Sequence, residues 1–82
     1  MDENVYFNFI EKREQYIKTK HGIEVRKNEI YEILDDILYK SIPHPNESPL
    51  KLVNELYYLE IKLINIKADI VRINKKLQKL TQ

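Results

Sequence analysis

Cysteine is absent from the 82 residues. With it go disulfides, thiolate metal ligands and cysteine nucleophiles. That absence leaves the compartment open, and a cytoplasmic setting is the plainer expectation. Glycine occurs once, as Gly22, so no glycine-rich phosphate loop is possible. The three prolines all fall between positions 43 and 49. So few turn formers favour long helices over strand hairpins.

Long apolar runs are missing as well. No stretch approaches the roughly 20 residues needed to cross a bilayer, so no membrane span is expected. Residues 1–10 show no basic segment followed by an apolar one, and no signal peptide is expected there. The two histidines, His21 and His44, lie far apart, with no HExxH pattern and no calcium-binding loop. Glu29, Glu32, Asp35 and Asp36 form an acidic stretch in which Glu32 and Asp36 are one helical turn apart. Such pairs are usually solvated, and general acid–base chemistry needs a pocket that perturbs them. The sequence therefore predicts no enzyme, no cofactor and no metal.

What the chain does have is periodicity. From Leu52 the apolar residues Leu56, Leu59, Leu63, Ile66, Ile70, Ile73, Leu77 and Leu80 follow at alternating spacings of 4 and 3. That is the seam of a helix built to meet another helix. Ser41 to Pro49 is a proline-rich loop, with Ser48 placed to cap and Pro49 to open the long helix at 49–80. A second stripe, Tyr57, Ile61, Ile64, Ala68 and Val71, runs along the same helix. Two stripes imply at least two neighbours.

The N-terminal region, 4–40, reads as helical, with Asp2 or Asn4 as a possible cap. His21-Gly22 supports two readings. A break between residues 20 and 27 is preferred, with Asn28 capping a second segment. In the alternative, Phe9, Tyr16, Ile23, Ile30 and Ile37, spaced by seven, lie on one continuous helix. Gly22 would then cost about 1 kcal/mol relative to alanine.

The expected fold is thus all-α: one domain over residues 1–82, a helical hairpin with a heptad-patterned C-terminal helix. The N-terminal segments are expected to fold onto the second stripe. The seam, Leu52, Leu56, Leu59, Leu63, Ile66, Ile70, Ile73 and Leu77, would then join two copies as an antiparallel, four-helix-type dimer. The rival arrangement is a monomeric hairpin whose N-terminal segments cover the seam and leave the second stripe partly exposed. In that register Lys62 faces Asp69, Glu55 faces Lys76 and Glu60 faces Lys67 of the second copy. A parallel register would oppose Glu55 to Glu60 and Lys62 to Lys67 instead.

Function follows only in outline. A dimeric, non-catalytic protein-interaction module (inhibitor, adaptor or regulatory subunit) is the first reading, with a protein partner whose identity the residues do not give. The alternative is a small DNA- or RNA-binding regulator. Its contacts would come from Lys12, Arg13, Lys18, Lys20, Arg26 and Lys27 together with Arg72, Lys75, Lys76 and Lys79. A net charge of only +1 argues against it.

Overall fold

Two long helices make up the computed structural model, which describes residues 3–81. Helix α1 spans Glu3–Tyr39 and α2 spans Pro49–Thr81. They lie antiparallel, tied by inter-helix contacts along their length, in a rod of 59 × 16 × 15 Å. The 37 residues of α1 account for that length, since a rise of 1.5 Å per residue gives about 55 Å.

The break expected at residues 20–27 is not present. Helix α1 passes through Gly22 without interruption, and Gly22 has no left-handed φ. The heptad of large side chains explains why. Ile23 and Ile30 are buried, while Phe9, Tyr16 and Ile37 are half-buried on the same face. Tertiary packing on both sides of Gly22 outweighs its local preference for a turn. Asn28 therefore sits inside the helix and caps nothing. Asn4 also lies within α1, and Asp2 falls outside the described residues.

The ends of the connection follow their chemistry. Ser41 takes a φ of 56°, a left-handed conformation that ends a helix. The amide of Ile42 then reaches back to the Asp36 carbonyl at 2.9 Å, and that of Lys40 to Asp35 at 3.3 Å. Pro45 and Asn46 form a turn closed by the Glu47 amide on the His44 carbonyl at 2.9 Å. At the start of α2 the Leu52 amide meets the Ser48 carbonyl at 2.9 Å, and the Ser48 hydroxyl faces the Lys51 amide at 3.5 Å. Pro49 opens the helix, where its missing N–H costs nothing.

Burial shows which stripe of α2 the returning helix covers. Leu52, Leu63, Ile73 and Leu77 are buried, and Leu56, Leu59, Ile66, Ile70 and Leu80 are half-buried. These nine are the seam, so α1 of the same chain lies on it. The second stripe, where α1 was expected, faces solvent: Tyr57, Ile61, Ile64 and Val71 are exposed, with Ala68 half-buried. The intramolecular and the open faces are thus exchanged relative to the preferred expectation and follow the rival one, in which the N-terminal region covers the seam.

Candidate interaction surfaces

The face of α1 that meets the seam contains two columns. One is apolar: Phe9, Tyr16, Ile23, Ile30 and Ile37. The other is Tyr6, Arg13, Lys20, Lys27 and Leu34, and none of these ten residues is exposed. Three long basic side chains thus occupy seam positions. They do so by laying their methylene stems on the core and carrying the charge to its rim. The Lys27 side chain keeps only 18% of its surface in solvent and ends on the carboxylate of Glu60. Arg13 donates to the Asn74 side-chain oxygen at 3.2 Å.

Arg26, beside this column, makes the best-aligned polar contact between the helices. Its Nε and Nη2 donate to the two carboxylate oxygens of Glu55 at 2.6 and 2.9 Å. Its Nη1 donates to Glu29 on the same helix at 3.1 Å. A two-pronged guanidinium–carboxylate pair fixes geometry as well as charge. The hydrogen bond to Glu55, and then the one to Glu29, holds the Arg26 pKa above its ordinary value. The bond from Arg26 holds the Glu55 carboxyl below its ordinary value. The bond to Glu60 raises Lys27 in the same way. Lys76 adds a cation over the ring of Phe9, 5.4 Å from its centroid.

These contacts redirect the charges that were expected to choose a partner's orientation. Glu55 meets Arg26 and Glu60 meets Lys27 within the chain, and Asp69 meets Arg72 on its own helix. At the loop, His44 Nε2 lies 2.9 Å from an Asp36 oxygen. Lys40 approaches both Asp35 and Asp36. Glu29, Asp35 and Asp36 of the acidic stretch are thus engaged with neighbouring side chains. Among the described residues, no group of three or more His, Cys, Asp or Glu is placed to hold a metal ion. No helix among them is long and apolar enough to cross a membrane.

The hairpin does bring the two basic clusters together. Its open end joins the start of α1 to the end of α2, with Lys12, Arg13, Lys18 and Lys20 on one helix. Arg72, Lys75, Lys76 and Lys79 lie on the other. Counting residues 3–20 with 67–81, nine Lys and Arg stand against four Asp and Glu. In the other half, residues 21–66, eight acids stand against five bases. The near-neutral total conceals a rod that is positive at its open end and negative toward the loop. Arg26 and Lys27, counted with the basic cluster in the sequence reading, belong to the other half and carry the inter-helix ion pairs.

The remaining surface feature is apolar. Leu50, Tyr57, Ile61, Ile64 and Val71 are 40–71% exposed. They occupy one side of α2, roughly 150° around the helix from the seam at 100° per residue. Leu50 extends the stripe by one further turn toward the loop, at the same heptad position as Tyr57, Ile64 and Val71. Helix α1 adds Ile17, Tyr31 and Leu38, also exposed, along its flank. The hollows on the surface are shallow and open; one is lined by Tyr31, Glu32, Leu34, Asp35, Leu38 and Tyr39. No family model, no curated protein and no solved structure matches this chain.

Proposed function

We propose that this chain is a non-catalytic interaction module, a helical hairpin that presents helix faces to protein partners and self-associates through its C-terminal helix. One observation carries the reading: α2 holds an apolar stripe, Tyr57 to Val71, largely in solvent while its opposite face is already packed. Surface area supports it. A compact 9.9 kDa monomer is expected to expose about 5,200 Å², whereas this chain exposes 6434 Å². The excess, on the order of 1,000 Å², exceeds the roughly 800 Å² per partner of a standard interface.

Light scattering of the purified chain between about 1 and 500 μM tests the self-association. A mass that rises to twice the chain or more supports it. A mass of one chain throughout removes it.

A second reading, nucleic-acid binding at the open end, is favoured by the meeting of the two basic clusters there. It requires binding to mixed-sequence duplex at about 50 mM salt that weakens steeply by about 200 mM. The interaction reading expects weak binding under both conditions.

A further inference from the structure

The open stripe of α2 repeats in a way that suits a particular occupant. An antiparallel helix placed on it is in register when the residue numbers of opposed positions sum to a constant. Taking that constant from Ile61 opposite Ile64 sets Tyr57 opposite Ala68, and Val71 opposite Asn54. The occupant that satisfies these layers is α2 itself. Its largest stripe residue then meets its smallest, and the two central layers are isoleucine on isoleucine. In the same register Lys67 lies two residues beyond the position opposite Glu60, which also meets Lys27 of its own chain.

Charge at the scale of the rod selects the same orientation. In this register the overlap covers about 28 residues of α2, roughly 42 Å. The basic half of one α2, with Lys67, Arg72, Lys75 and Lys76, lies along the charge-balanced half of the other, with Lys51, Glu55, Glu60 and Lys62, and the acids of that copy's α1 lie behind it. A parallel pair would set like ends side by side. Fields of this kind bias orientation and fade with salt. The hairpin stays intact, because the stripe is on the far side of α2 from the seam that α1 occupies.

We infer that the outer stripe of α2 is the docking surface for a second copy of this chain, antiparallel, with Ile61 of each copy against Ile64 of the other. The inference rests on the self-association reading and assigns it a face, an orientation and a register. The result is a four-helix array ordered α1–α2–α2–α1, in which the second copy fills the stripe and each seam stays within its own hairpin.

The test uses the full chain and two variants, Ile61→Lys and Ile64→Glu, each examined alone and as an equimolar mixture. Mass is read by sedimentation equilibrium and helicity by circular dichroism. The native chain is expected to dimerise. Each variant alone should dimerise at least about a hundredfold more weakly, because two charges enter the central layers. The mixture should recover the dimer, since one central layer becomes a lysine–glutamate pair while the other stays isoleucine on isoleucine. Recovery of both mass and helicity on mixing supports the inference even if a lone variant unfolds.

Dimerisation of either variant at native strength would overturn the docking surface while leaving self-association standing. Weakened variants that fail to recover on mixing would overturn the antiparallel register. A native chain that stays monomeric would end both the inference and the self-association reading. Raising salt should weaken the native dimer, and tightening with salt would oppose the charge alignment.

Discussion

Gly22 is the residue at which local and global preferences part. A Cβ built there meets nothing within 4 Å, and the helix is regular on both sides. Gly22→Ala should therefore stabilise the fold by about 1 kcal/mol, read as a higher urea midpoint. A break at this position would make the same substitution neutral or harmful. Ser41 is the opposite case, a side chain held at φ 56°. Ser41→Gly should raise stability by about 0.5–1 kcal/mol in the same measurement, because glycine adopts that conformation without strain. Glu55 carries the acid dependence. Its folded pKa is depressed below the ordinary value of 4.5 by the bond from Arg26. Its contribution is thus complete above about pH 4.5 and disappears as pH falls through the lowered folded value. Half-exposure limits the pair to about 1 kcal/mol or less. Glu55→Gln should therefore cost stability at pH 7, and the gap from the native chain should narrow as pH falls below about 4.5 and through the lowered folded value, as followed by thermal melts at each pH.

At the scale of the element, α2 was legible almost residue by residue. The proline cluster marks the loop, Ser48-Pro49 marks the start, and the two apolar stripes mark the faces available for packing. Helix α1 was harder to read because alternate seam positions hold Arg13, Lys20 and Lys27. A search for apolar periodicity passes over such positions, although their stems pack like aliphatic chains. With that column hidden, Gly22 looked like a boundary. The choice between the stripes of α2 was not legible either, since both are apolar. What favours the seam is its unbroken run of nine residues and its rim, where Glu55, Glu60 and Asn74 receive Arg26, Lys27 and Arg13. Lys20 belongs to the same column; its side chain is 37% exposed and meets Glu24 on its own helix at 3.7 Å. Leucine at that position adds apolar surface to the column without removing an inter-helix pair. Lys20→Leu is expected to stabilise by about 1 kcal/mol, and denaturant unfolding monitored by circular dichroism checks it.

The whole molecule is a thin rod, and thinness sets its energetics. Among the described residues, six apolar side chains are buried: Ile23, Ile30, Leu52, Leu63, Ile73 and Leu77. A two-helix layer of this kind has little core per residue, and covering its open stripe is the direct way to add more. Folding and association are then linked, because whatever binds the folded hairpin and not the unfolded chain draws the equilibrium toward the hairpin. If unfolding is coupled to dimer dissociation, each tenfold rise in concentration adds about 1.4 kcal/mol per dimer. At roughly 2.1 cal/mol/K per residue for the entropy of unfolding, that raises the Tm by about 4 °C per tenfold in concentration. Calorimetric scans across two decades of concentration should show this drift in the native chain. In Ile64→Glu the drift should vanish, since a monomer unfolds at a Tm independent of concentration. A native Tm fixed over the same range would mean that the hairpin's thin core is sufficient without a second copy.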